Sequence, residues 1–118
     1  MGPLISICIP TYEMKGKGAE FLEFSFTRMF LQTYENFEVI VSDHSTTNVI
    51  EDVCKRWQGK LNIKHFYNED GRGMFPNNTN NAIRQASGDI IKILCQDDFL
   101  FDDKSLENLV FQFTNNNK

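Results

Sequence analysis

The sequence predicts an α/β domain in which a mostly parallel sheet lies between two layers of helices, a three-layer sandwich. Three observations lead there. Short β-branched apolar runs recur along the chain, and segments with apolar residues at helical spacing separate them. The run ends then break into polar, mostly acidic residues. Strands alternating with helices imply parallel pairing through right-handed crossovers, and such sheets bind ligands beyond the carboxyl ends of their strands.

Each element follows from its residues. Leu4 to Ile9 (LISICI), stopped by Pro10, reads as a buried strand. Leu22, Phe26, Met29 and Phe30 then recur at helical spacing, and Phe37 to Val41 (FEVIV) forms a second strand. Val49, Ile50, Val53, Cys54 and Trp57 mark one helix face, with Trp57 expected on the sheet; Asn48 with Glu51 three residues on resembles a capping box. Ile63 to Tyr67 (IKHFY) is a more polar strand, expected near an edge. Pro76 opens an asparagine-rich helix whose apolar residues are Ala82, Ile83 and Ala86, and Gly88 stands where a helix-terminating glycine belongs. Ile90 to Cys95 is the fourth strand. Leu106, Leu109, Val110 and Phe113 form a last helical stripe before a polar tail, Asn115 to Lys118, expected to fray.

Composition narrows the function. The 118 residues suit a single domain, and most of the eleven phenylalanines are expected in its core. A net charge of -4 argues against nucleic-acid binding, which needs a basic footprint. Three scattered cysteines without C-x-x-C spacing exclude a disulfide framework or zinc ribbon and imply a reducing, cytoplasmic setting, where the Asn77-Asn78-Thr79 sequon is a chance match. No apolar stretch approaches membrane-spanning length, and the first residues lack signal-peptide character.

The strand ends carry the chemistry. They read Pro10-Thr11-Tyr12-Glu13, Ser42-Asp43-His44-Ser45, Asn68-Glu69-Asp70-Gly71 and Gln96-Asp97-Asp98. Carboxylates at the end of an apolar run mark an exit to solvent or to a ligand, because charge is costly inside a core. Their convergence implies a hydrogen-bonding ligand with a cation near the fourth strand. A receiver-type signalling domain would need an acidic pair directly after the first strand, where Pro10 and Thr11 stand. A calcium loop of the EF-hand type would need a central glycine and a terminal glutamate, which the stretch from Asp97 to Asn108 lacks.

Taken together, these stretches resemble family 2 glycosyltransferases. "ISICIPTYE" is similar to the family's opening strand and P-T-Y-N turn, and "FLQTYENFEVIVSDHST" to its Q-T-Y…F-E-I-I-V-V-D-D-G-S-T. "NNAIRQASGDIIKILCQDDF" is similar to N-x-G-I-x-x-A-x-G-x-Y-I-x-F-L-D-x-D-D, and the likeness runs in order from Ile5 to about Phe113. The resemblance implies a Rossmann-like fold of GT-A type, here the nucleotide-sugar-binding half, ending after the D-x-D-like motif. It implies transfer of a sugar from a nucleotide-diphosphate donor, of UDP type, with inversion, and a Mg2+ or Mn2+ cofactor. The acceptor, a glycan, lipid or protein, and the general base are expected on a segment beyond Lys118.

By the same resemblance Pro10, Tyr12 and Glu13 border the base, with Tyr12 against uracil, and Asp43 accepts a hydrogen bond from it. Asn80 matches the family's asparagine, and Asp97 matches the last aspartate of D-x-D, the ligand of the ion that bridges the two phosphates. Three positions depart from the pattern: Ser42 replaces the first aspartate of D-D-G-S, His44 replaces its glycine, and Cys95 replaces the first aspartate of D-x-D. A thiol is a poor ligand for magnesium, but one carboxylate with phosphates and water suffices for that ion. Taken by themselves, Asp43 also suits a turn before the second helix and Arg72 a solvated loop. The other functional class is a non-catalytic nucleotide-sugar-binding or protein-interaction module, whose open sheet edge would favour homo-oligomers or pairing with another chain.

Overall fold

The computed structural model describes residues 2–116. Strand β1 (Ile5–Thr11) leads through a short 3-10 turn (Met14–Gly16) into α1 (Lys17–Phe30). β2 (Phe37–Asp43), α2 (Val49–Trp57), β3 (Ile63–Tyr67), α3 (Phe75–Gln85), β4 (Ile90–Ile93) and α4 (Ser105–Asn116) follow. The four strands pair in parallel in the order β3-β2-β1-β4. The registers run Ile5↔Phe37 to Thr11↔Asp43, Val39↔Ile63 to Asp43↔Tyr67, and Ile5↔Ile90 to Cys8↔Ile93. The chain therefore steps outward from β1 to β3 and then returns across β1 to β4. That reversal puts a topological switch point between β1 and β4, where an open parallel sheet leaves a crevice.

The reversal also decides the layers. With right-handed crossovers, the two outward connections lie on one face and the return connection on the other. Ile5, Ile7, Ile9, Val39 and Val41 pack with Leu22, Phe26 and Met29 of α1, Ile50, Val53 and Cys54 of α2, and Leu106 of α4. The alternate residues Cys8 and Ile40 pack with Ala82 of α3, supported by Phe66 and Ala86. Each large apolar side chain buried in the first cluster contributes about 1.5–3 kcal/mol.

Several expectations need correction. Eight of the eleven phenylalanines are exposed, because they stand on outward helix faces and on the loop after β4. Some of them pair with each other instead, as Phe24 does with Phe99 edge to face at 5.0 Å. Trp57 packs on α1, against Phe26 and Phe30, and its indole N–H reaches Glu23. The capping box does not form: the Asn48 side chain caps nothing, and the Glu51 carboxylate accepts the Tyr67 hydroxyl at 3.0 Å.

Gly88 is not a left-handed helix terminator; α3 stops at an extended Ala86. Its lack of a side chain serves close approach, since a Cβ there would lie 2.7 Å from the Ser6 nitrogen and 2.8 Å from the Leu4 carbonyl. β4 ends at Ile93, two residues short of Cys95, although the Leu94 N–H still bonds the Cys8 carbonyl at 2.9 Å. α4 continues through Asn116, and of the tail expected to fray, residues 117 and 118 lie outside the described residues. Among the described residues no helix is long and apolar enough to cross a membrane.

Candidate donor site

A cavity of about 560 Å³ opens at the switch point, beyond the carboxyl ends of β1 and β4. Its wall draws on the segment after β1 (Pro10 to Met14), the turn after β2 (His44, Thr46), the loop before α3 (Arg72, Gly73, Phe75), Asn78, and Cys95 to Asp97. Of the residues expected in a site, Pro10, Tyr12, Glu13 and Asp97 meet there.

The segment after β1 turns sharply. Met14, Lys15 and Gly16 all have positive φ (47°, 54° and 90°), a left-handed run that non-glycine residues adopt at a cost of about 1 kcal/mol each. The Glu13 carbonyl takes the Gly16 and Gly18 N–H groups at 2.9 and 3.1 Å, which ties the turn to α1. Gly18 has no room for a Cβ, because the Tyr12 carbonyl and the Gln96 amide press against it. Gln96 fixes the same strand end from the other side. Its Oε1 accepts the Tyr12 N–H at 3.1 Å and its Nε2 donates to the Tyr12 carbonyl at 2.9 Å. The backbone of Tyr12 is thus clamped while its ring stays 53% exposed to the cavity. Glu13 turns its carboxylate to the turn after β2, where Oε2 accepts the Thr46 N–H at 3.1 Å and faces the Thr47 hydroxyl at 3.5 Å.

Asp43 and Asn80 are not among the cavity-lining residues. Asp43 is fully buried: Oδ1 accepts the Ser45 N–H at 2.9 Å and the Thr11 hydroxyl at 3.3 Å, and Oδ2 pairs with His65 Nε2 at 2.8 Å. It holds the turn before α2 as an aspartate two residues before the N–H it binds. Asn80 is exposed on α3. Asn78, one helical turn before the buried Ala82, reaches the site instead. It is buried, donates to the Thr11 carbonyl at 3.2 Å and accepts the Ser42 hydroxyl at 2.6 Å.

Sequence reasoning did not single out Asn78 and took Gln96 and His44 only as strand-end residues; both line the cavity, as do Asn78 and Arg72, which is exposed as a loop arginine should be. The Arg72 Nε donates to the His44 carbonyl at 3.0 Å, and among the described residues no ion pair engages its guanidinium.

Asp97 is exposed to the cavity, and among the described residues no hydrogen bond or ion pair engages its carboxylate. Cys95, half-buried and with a free thiol, lines the same wall, whereas Asp98 does not and closes the turn with its N–H on the Cys95 carbonyl at 3.0 Å. No group of three metal-ligating side chains occurs among the described residues. One unpaired carboxylate fits magnesium or manganese only when an oxygen-rich ligand completes the shell, which is how diphosphate-bound magnesium is held.

The model of the family described as Glycosyl transferase family 2 matches residues 6–118. Validoxylamine A glucosyltransferase of Streptomyces hygroscopicus subsp. jinggangensis is 33% identical over 94 residues, covering 78% of this chain and 21% of that protein. Among solved structures, Staphylococcus aureus TarS in complex with UDP superposes with a TM-score of 0.80 at 24% identity, over 94% of this chain and 32% of that one. The Pyrobaculum calidifontis mannosyltransferase PcManGT, in complex with GDP-Man and Mn2+, superposes with a TM-score of 0.79 at 24% identity, over 96% and 33%. Both share the fold of this chain, which spans only a fifth to a third of the length of these three proteins.

Proposed function

The chain belongs to glycosyl transferase family 2, and on that premise we propose that its cavity is the donor site of a glycosyltransferase, taking the nucleoside diphosphate of a sugar donor. The observation that carries this reading is the unengaged Asp97 carboxylate, which shares one cavity with the exposed Tyr12 ring and the Arg72 guanidinium. Glu13 and Asp97 put negative charge on the wall. A diphosphate adds more, and like charges this close need a cation between them. Asp97 would hold Mg2+ or Mn2+ together with the donor's diphosphate. Such an ion would supply Lewis-acid stabilisation to the departing nucleoside diphosphate. PcManGT was solved with GDP-Man and Mn2+, and TarS with UDP, which supports the pairing of donor and cation.

Tyr12 lies against the base, preferably uracil, on a backbone that Gln96 keeps in place. Pro10 and Glu13 shape the rim. Asp43 holds the turn whose His44 and Thr46 line the cavity, and both of its oxygens are engaged in doing so. Glu13 is committed to Thr46 and Asp97 to the ion, so the general base that activates the acceptor hydroxyl comes from outside these residues. Calorimetric titration with UDP tests the site: binding should require manganese and weaken at least tenfold in Asp97→Ala. Binding that ignores the metal, or survives the substitution, overturns the assignment.

One observation favours the alternative of an interaction module. β4 is an edge strand whose Ile91 and Ile93 are 40% and 45% exposed, an invitation to further strand pairing or self-association. A folded chain that binds no nucleotide yet self-associates would favour it.

A further inference from the structure

Around His44 the loop before α3 is folded in an unusual way. The residue is 7% exposed, and its ring takes the Gly73 N–H on Nδ1 at 3.3 Å while Nε2 faces the Asp70 carbonyl at 3.1 Å. Nε2 also lies 3.2 Å from the Asn68 side-chain amide nitrogen, so both ring nitrogens are held by polar neighbours. The same residue's carbonyl receives Arg72 Nε at 3.0 Å. Gly71 and Gly73, on either side of Arg72, have φ of 60° and 88°, so the loop follows a path open mainly to glycine. Ring and carbonyl of one residue therefore hold the Asp70 carbonyl, the Gly73 N–H and the Arg72 side chain of a single loop, with Arg72 on the cavity wall.

We propose that His44 is a positioning residue for the donor site, holding Arg72 where its guanidinium meets the donor's phosphates. This rests on the donor reading above. It assigns a task to a residue that stands where the family pattern has glycine, and it makes the positive charge of the site depend on an imidazole that need not touch the donor. A guanidinium free to swivel loses much of its advantage as a phosphate ligand, because its fixed fork must be ordered at binding.

The test is a double-mutant cycle read by UDP titration in the presence of manganese, with folding checked by circular dichroism. Arg72→Ala is expected to weaken UDP about tenfold, as loss of a charge-assisted hydrogen bond does. His44→Ala should weaken it by a similar factor. The double variant should be no worse than about twofold below either single one, since both changes remove the same contact. His44→Asn, whose Oδ1 can take the Gly73 N–H in place of Nδ1, should recover most of the loss. His44→Gln, whose polar end sits one bond further out, should not. Fully additive losses, equal effects of Asn and Gln, or unchanged affinity in His44→Ala would overturn the proposal while leaving the donor site intact. A wild-type chain that binds no UDP overturns the donor reading and this proposal with it.

Discussion

Glu38 offers a perturbation whose size follows from the structure. It is 1% exposed on the α3 face of β2, yet four donor groups converge on its carboxylate. Oε2 accepts the Ser6 hydroxyl at 2.6 Å and the Ser87 N–H at 2.8 Å, while Oε1 takes Lys64 Nζ at 2.9 Å and the Ser87 hydroxyl at 3.1 Å. Burial alone raises the pKa, but the hydrogen bonds from Ser6, Ser87 and Lys64 together outweigh it and hold the group at about 2 instead of the ordinary 4.5. A depressed folded-state pKa stabilises the protein above the unfolded value, and that stability disappears as pH falls from about 4.5 towards about 2. At about 1.36 kcal/mol per pH unit the carboxylate contributes roughly 3 kcal/mol at neutral pH. Lys64 is half exposed, so solvent screens its share and about 2 kcal/mol is the safer figure. Glu38→Gln should therefore lower unfolding stability by about 2–3 kcal/mol at pH 7, measured by urea titration, and by under about 0.5 kcal/mol at pH 2. An equal loss at both pH values would show that the network depends on shape rather than charge, and would refute the argument.

Three further outcomes follow from the same geometry. Gly88→Ala drives a Cβ to within 2.7 Å of the Ser6 nitrogen, and should cost about 2–3 kcal/mol, lowering the thermal midpoint by about 10 °C. Gln96→Ala leaves the Tyr12 N–H and carbonyl without their partner, so UDP affinity measured by calorimetry should fall about 5–10-fold while the circular dichroism spectrum is retained. Burial, reinforced by nearby carboxylates, pushes the Cys8 thiol up to about 11 and the Cys54 thiol up to about 12, whereas Cys95 lines the cavity. A thiol reagent should therefore modify one cysteine in the native chain and three after denaturation, and UDP with manganese should slow the native reaction.

Much of the fold is legible in the chain because it rests on local pattern. β-branched runs marked β1, β2 and β4, the more polar IKHFY marked β3, and apolar spacing marked all four long helices, since both periods are fixed by backbone geometry. What escaped was long-range. Gln96 joins Tyr12 across 84 positions, and Asn78 joins Thr11 across 67, so neither contact leaves a trace in any short window. Asn80 was the natural choice by motif, but helical phase favours Asn78, which shares a stripe with Ala82. The turn role of Asp43 was legible from its place before α2, but its burial was not, because its partners His65 and Thr11 lie on two other strands. Tyr12, Glu13 and Asp97 were legible as cavity residues, because a parallel sheet must present its carboxyl ends at the switch point.

The most direct test of the donor site is paramagnetic broadening of backbone amide signals by Mn2+, recorded with and without UDP. With UDP present, broadening should centre on Gln96, Asp97 and Asp98, fade across Tyr12 and Arg72, and leave Glu38 and Ser87 sharp. Without UDP the same manganese concentration should broaden little, since one carboxylate is a weak site alone. Broadening centred on another acidic cluster, such as Asp102 and Asp103, or identical with and without UDP, would contradict the account.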